Sequence, residues 1–501
     1  LDTVLNDYLI NSLLLLLGVG TGVILLGVPT AWLTSMCSFP GRRWLSWALL
    51  LPLAMPAYII AYTYSGLLDF AGPVQSWIRD LTGLSYGDYW FFEIRSLGGA
   101  IIMMSLVLYP YVYLLARAAF LEQSVSSIEV GCSLGYSRWQ ALWKLALPMA
   151  RPAIIAGLSL ALMETLADYG TVQYYGVSTF TTGIFRTFYG YGDTAAAAQL
   201  AASLLAFVIL LVLLERYSRR RARYHSAAES RARADLIPLS GSKAIMACVI
   251  CLSPLMFGFI IPATQLLFWA VFEAEPLGWD FVGLAWNSFS LAFLAAIIAV
   301  ILAIILSYAK RTKPIKPVRT VLAMAGFGYA LPGTIIAIGV LIPLAWLDHR
   351  LIDIFGSLGW DSPGLLLSGS LVALLFAYTV RFLAVALGSV QSGLEKIKPS
   401  LDHVGRSMGH SPLDILRKIH VPLMRSSILT AVLIVFVDVL KELPATLILR
   451  PFNFNTMAVR AYELASDERL VDAAPASIMI VLVGLIPVLM LHASIARRRP
   501  H

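Results

Sequence analysis

The sequence predicts an all-α membrane protein made of two parallel copies of one six-helix module. Three observations carry that prediction. The 501 residues are 59% hydrophobic and only 13% charged, more apolar surface than a water-soluble domain can bury. The apolar residues fall into runs long enough to span a bilayer as helices. The chain also repeats itself at a nearly constant offset.

About 20 mostly apolar residues make one spanning helix. Eleven candidate spans follow in order: 11–35, 46–66, 97–118, 152–174, 197–215, 244–268, 287–309, 321–345, 364–387, 426–448 and 474–494. Several contain Gly or Pro, which membrane helices tolerate.

The net charge of +8 sits in short clusters between these runs, which reads as membrane topology rather than a nucleic-acid footprint. Placing Arg42 and Arg43 in the cytoplasm and alternating from there puts about 27 of the 37 Lys and Arg inside. The outside segments hold Arg79, Arg95, Arg186, Arg350, Arg450, Arg460 and Arg469, while Arg117, Arg381 and Lys441 lie in or beside spans. This orientation predicts an N-terminus outside and a C-terminus in the cytoplasm.

The repeat is legible residue by residue. Asn11-Ser12 matches Asn287-Ser288 at an offset of 276, and Met55-Pro56 matches Leu331-Pro332 at the same offset. Glu129-Val-Gly-Cys-Ser-Leu-Gly135 followed by Leu147-Pro148 matches His403-Val-Gly-Arg-Ser-Met-Gly409 followed by Val421-Pro422, at an offset of 274. Lys144 pairs with Lys418 and Arg151 with Arg425 in the same register. Module one is expected over 1–215, a basic cytoplasmic linker over 216–243, and module two over 244–501. Equal orientation of two copies requires an even number of spans in each. The second copy has six and the first shows five, so one leading span is expected to be missing from module one.

The matched loops, about 128–151 and 402–425, resemble the EAA loop of the membrane subunits of ABC importers. They carry Glu129, Gly131, Gly135 and Pro148 in one copy and His403, Gly405, Gly409 and Pro422 in the other. The resemblance covers nearly the whole chain and implies that each loop docks one cytoplasmic ATPase subunit, two in all. ATP hydrolysis would then drive alternation between outward- and inward-open states. Small residues permit close backbone approach, Gly135 and Gly409 permit a turn, and Pro148 and Pro422 suit a first helical turn. The second loop departs from the pattern, because His403 replaces the Glu and Asp402 stands beside it. Glu129 also has a plain reading as a solvated loop residue. The chain has no G-x-x-x-x-G-K-[ST], so ATP and magnesium belong on the partner subunits and no cofactor is expected here.

Ionisable residues inside spans are candidates for a substrate route. Glu164 and Asp168 are four apart, and Asp438 and Glu442 repeat them at an offset of 274. Spacing of four puts each pair on one helix face, and such an acidic lining suits a hard cation. The alternative is that these acids sit at helix ends, paired or solvated. Lys441 would partly neutralise Glu442. Tyr169 joins the candidates because phenolate binds ferric iron, although an interfacial aromatic belt accounts for most of the tyrosines around it. Cys248 and Cys251 form a C-x-x-C inside an apolar run and read as small helix residues rather than a redox or zinc site.

Leu166-Ala-Asp-Tyr-Gly-Thr-Val172, Thr179-Phe-Thr-Thr-Gly-Ile184, Lys441-Glu-Leu-Pro-Ala-Thr446 and Leu449-Arg-Pro-Phe452 resemble the fused permeases of ferric-iron importers. That resemblance implies Fe(III) delivered by a periplasmic binding protein, transient iron binding without a fixed metal site, and residence in the bacterial inner membrane. Thiamine, phosphonate and polyamine permeases share the general build. An ion-coupled secondary transporter would not require two matched cytoplasmic loops. A membrane enzyme would carry a motif such as H-E-x-x-H or G-x-S-x-G, and neither occurs.

Overall fold

The computed structural model describes residues 4–85, 88–122, 136, 140, 142–220, 236–276, 278–362 and 364–497. Its helices in the first part of the chain are α1 Leu5–Met36, α2 Arg42–Ala48, α3 Ala57–Leu68, α4 Pro73–Thr82, α5 Leu97–Glu122, α6 Leu147–Ala167, α7 Gly170–Tyr174, α8 Phe180–Phe185 and α9 Thr194–Arg220. Then come α10 Ser242–Leu255, α11 Ile261–Phe268, α12 Trp279–Thr312, α13 Lys316–Ala325, α14 Gly333–Ser357, α15 Leu371–Glu395 and α16 Ser400–Ser407. The last are α17 Pro412–Ile415, α18 Val421–Leu440, α19 Pro444–Leu449, α20 Met457–Ser466 and α21 Leu470–Arg497.

Among the described residues, ten helices are long and apolar enough to cross a membrane, and the protein is an all-α membrane protein. A helix satisfies its backbone polar groups internally, as lipid requires. The extended structure among the described residues is one short parallel pair, β1 Cys37–Ser38 with β2 Ile237–Pro238. It ties the end of the basic linker to the turn after α1; linker residues 221–235 lie outside the described residues.

Several expected spans are interrupted. The span expected over 46–66 is a pair, Arg42–Ala54 and Ala57–Thr82, bent by 92°. Met55 is extended at φ −95° and ψ 110°, the conformation that a following proline imposes. The same break divides 321–345 into α13 and α14, with Leu331 at φ −83° and ψ 128° before Pro332. The span expected over 426–448 ends at Leu440 and restarts as α19 at Pro444, which supplies no N–H to continue the first helix. Its counterpart over 152–174 likewise stops at Ala167 and resumes as α7. The span expected from 364 begins at Leu371, where the Ser370 side chain accepts the Val372 N–H. The apolar residues before it form a loop held by Asp348, whose carboxylate accepts Leu367 N at 2.9 Å and Ser368 N at 2.7 Å.

By packing, the chain forms two compact units. The first comprises Leu1–Gly183, Ser203–Ala274 and Leu464–His501; the second comprises Ile184–Ala202 and Glu275–Glu463. In the first unit α1, α5 and α6 pack on one another. Lipid supplies no hydrophobic drive between helices, so contact depends on close approach. Gly157 of α6 supplies it, since a Cβ there would lie 2.7 Å from Tyr111 O and Val112 Cα. In the second unit α12, α15 and α18, the repeat counterparts of those three, pack together in the same way. Alanines 292, 295, 296, 299 and 303 make the close-packed face of α12. The units do not follow the repeats: α10, α11 and α21 come from the second repeat but pack in the first unit, α21 against α11 and the Leu51–Ala54 turn.

The Asn-Ser repeat has a structural role in each unit. Ser12 Oγ receives Phe180 N at 3.4 Å, and Ser288 Oγ receives Met457 N at 2.7 Å. Each serine thus satisfies a free N–H at the start of a short helix, α8 or α20.

Candidate coupling and transport site

The second matched loop is a helical hairpin. Helix α16 covers His403 and Gly405, Gly409 turns the chain at φ +80°, and α17 follows. That left-handed φ suits a residue without Cβ. Ser411 caps α17 by accepting Asp414 N at 3.2 Å. One wide turn, Leu416–His420, leads into α18, with Pro422 in its first turn. Gly405 is buried where the hairpin closes, and a Cβ there would stand 2.9 Å from Ile415 Cγ1.

The outward face of α16 is apolar. Leu401, Val404 and Met408 are 39%, 53% and 69% exposed, and Leu413 on α17 is 53% exposed. His403, at the position of the motif's Glu, is exposed, whereas Asp402 points back into the protein. Arg311 at the end of α12 holds it, with Nε 2.8 Å from Asp402 Oδ2. In the first loop Glu129, Gly131 and Gly135 lie outside the described residues. Pro148 is in the first turn of α6, as Pro422 is in α18.

The four predicted acids fall at the ends of α6 and α18. In the first unit, Asp168 caps α7: Oδ1 accepts Thr171 N at 3.0 Å and Val172 N at 3.2 Å, and Oδ2 accepts Thr171 Oγ1 at 3.0 Å. In the second unit, Glu442 does the same for α19, accepting Ala445 N at 3.2 Å. The repeat has therefore preserved a carboxylate that satisfies orphan amides where a span breaks.

Their electrostatic settings differ. Glu442 is buried with Arg381, Nη1 to Oε1 3.4 Å, and Asp438 is 2.8 Å from Lys441 Nζ. Lys441 thus pairs with Asp438 one turn back, and α15 supplies a cation beside Glu442. Gly333 makes room for that pair, because a Cβ there would strike both Glu442 Oε1 and Arg381 Nη1. Glu164 is half-buried in the first unit and has no hydrogen bond or ion pair among the described residues.

Tyr169 is buried at the start of α7. The tyrosines around it do not form an interfacial belt. Tyr58, Tyr62, Tyr64, Tyr109, Tyr113 and Tyr175 are all buried. Tyr64, Tyr109 and Tyr175 donate to the carbonyls of Phe257, Leu49 and Ala61 at 2.7, 2.9 and 2.9 Å. A buried phenol requires such an acceptor, and backbone carbonyls provide it here. Cys37 is buried in β1, and burial pushes its thiol up to about 11.

Arg381, Arg311 and Asp348 are the residues that sequence reading passed over. Arg381 carried a signal, a lone charge inside an apolar run, but its partner is 61 positions away.

The described residues thus combine broken spans, acids at the breaks and a helical hairpin at the second matched loop. Residues 20–224 match the family described as binding-protein-dependent transport system inner membrane component. The chain is similar, over 97% of its length, to the Fe(3+)-transport system permease protein FbpB 2 of Haemophilus influenzae, at 26% identity and 89% of that protein's length. It is also 26% identical to the molybdenum transport system permease protein ModB of Escherichia coli, over 44% of this chain and 99% of ModB. To the sulfate transport system permease protein CysT of Escherichia coli it is 26% identical, over 39% of this chain and 71% of CysT. The first part of the chain is thus similar to that family, and nearly the whole chain is similar to a transport permease.

Proposed function

We propose that the chain is the membrane subunit of an ATP-driven importer for ferric iron. In this reading a periplasmic binding protein delivers the ion, and two cytoplasmic ATPase subunits dock at the loops about 128–151 and 402–425. The observation that carries it is the α16–α17 hairpin, an apolar ridge of Leu401, Val404, Met408 and Leu413 facing solvent on a buried polar anchor. Such a ridge suits a hydrophobic cleft on a partner. Likeness to an Fe(3+) permease over nearly the whole chain supports iron as the cargo. The charge distribution supports residence in the bacterial inner membrane with the C-terminus in the cytoplasm.

Within this reading Glu164 and Asp168, with Tyr169 nearby, serve as transient oxygen ligands for the passing cation. Asp438 and Glu442 have cations beside them and act on structure first. Likeness to the molybdenum and sulfate permeases supports an oxyanion importer as the second reading.

Uptake of radiolabelled ferric iron, sulfate and molybdate by cells with and without the gene separates these readings. Iron uptake lost with the gene and restored by it supports the first. Loss confined to an oxyanion overturns iron and leaves the importer class standing.

A further inference from the structure

The anchor beneath the second loop is a polar network. Arg311 reaches three places at once: Nε to Asp402 Oδ2 at 2.8 Å, Nη1 to Leu394 O at 2.6 Å, and Nη2 to Ile397 O at 2.9 Å. Leu394 and Ile397 lie at the end of α15, so one guanidinium joins α12, α15 and α16 and satisfies carbonyls that the helix end leaves free. The Arg311 and Asp402 side chains are only 16% and 15% exposed. His420, fully buried, places Nε2 2.7 Å from Asp402 Oδ1. Tyr308 Oη donates to Pro412 O at 2.6 Å, and its ring stands edge-on to His420 at 5.4 Å.

None of the four residues has a like counterpart in the first repeat. At offsets of 276 and 274, Tyr308, Arg311, Asp402 and His420 correspond to Trp32, Ser35, Ile128 and Ala146. Trp32 instead packs edge-on against Phe120 at 5.4 Å, and Phe120 corresponds to Leu394. The clamp of the second repeat is thus built from residues that the first repeat does not match.

We propose that Arg311 is a positioning residue for energy coupling: it locks the second loop to α12 and α15, so that motion imposed on this loop reaches those helices as a rigid displacement. The inference rests on the importer reading above. Coupling of this kind requires a contiguous stiff element between the two sites.

The full chain, reconstituted with its ATPase and binding protein in proteoliposomes, provides the test. The readouts are ATP hydrolysed per ferric ion moved and amide exchange over 400–420. R311M is expected to keep the ATPase bound, raise ATP consumed per ion roughly two- to tenfold, and speed exchange in the hairpin by about tenfold. D402N should reproduce R311M, and the double variant should add nothing to either, since one clamp is broken once. R311K, a point charge without the fork, should restore only part of the coupling.

An unchanged ATP-to-ion ratio in R311M, or an additive double variant, overturns the proposal. If R311M and D402N fail to insert, Y308F removes one hydroxyl contact to Pro412 and should still raise the ratio; no change there overturns the proposal too. A wild-type chain that recruits no ATPase overturns the importer reading, and the coupling role with it, before any variant is compared.

Discussion

Arg381 reaches Glu442 across two helices at 3.4 Å, with both side chains less than a tenth exposed. The pair holds α15 against the start of α19, and Gly333 at the start of α14 leaves the space it occupies. Removing one partner strands the other charge in a dry interior.

R381M or E442Q should therefore lower stability by about 3–5 kcal/mol. The double variant R381M/E442L should recover most of that loss, because a buried pair is often no more stable than an apolar replacement. Thermal unfolding of the detergent-solubilised chain reads both. G333A should resemble the single variants, since its methyl group displaces the pair.

Gly405 and Gly409 fail for different reasons. Gly405 faces Ile415, so G405L forces the hairpin open by steric contact. Gly409 has no atom within 4 Å of a built Cβ but sits at φ +80°, so G409A costs about 1–2 kcal/mol of backbone strain alone. Uptake measured beside ATP hydrolysis should show G405L uncoupled and G409A only partly so. The reverse order would refute this account of the hairpin.

If cations pass by the first-repeat acids, E164Q should reduce ferric uptake by about tenfold, comparable to losing one charge-assisted contact. It should leave stability unchanged, because Glu164 has no hydrogen bond or ion pair among the described residues. D168N keeps an acceptor for Thr171 N and should also act mainly on uptake. D438N should cost uptake only in proportion to lost stability. Equal effects of E164Q and D438N on uptake would remove the asymmetry between the repeats.

In the first unit, Arg95 joins Asp69 at 2.9 Å and Glu468 at 2.6 Å. The hydrogen bond from Arg95 holds the Glu468 carboxyl below its ordinary range. A carboxylate depressed on folding contributes stability above its unfolded value, about 4.3, and loses it as pH falls through the folded value. The wild type should exceed E468Q by a constant margin from about pH 5 to 8. That margin is about 0.2–1 kcal/mol for a pair this exposed, and it should vanish in stronger acid. Unfolding midpoints across pH check it; a margin that changed near neutrality would implicate another group.

The legible part of the site was the part written in short spacing. Gly409, Pro148 and Pro422 stand in the turn and first helical turns, and Asp168 and Glu442 recur in register because each sets a carboxylate over amides that follow a break. What spacing concealed was the partner. The i,i+3 step from Asp438 brings Lys441 within its reach, while Glu442 meets Arg381 from α15. The aromatic belt failed similarly: Tyr109 and Tyr175 are buried, and their hydroxyls donate to the Leu49 and Ala61 carbonyls, distant in the chain.

Spans, duplication and loop are carried by local composition and period, because a bilayer forces each crossing segment to satisfy its own backbone and to be apolar along about 20 residues. Those constraints act within one helix and can be read without neighbours. Which helices share a unit, where α10, α11 and α21 pack, and which cation stands beside which acid depend on contacts between residues far apart in the chain. Arg381 and Glu442 are 61 residues apart, and Arg311 and Asp402 are 91 apart. Such pairs leave no periodic trace, because packing selects them only after the helices have formed.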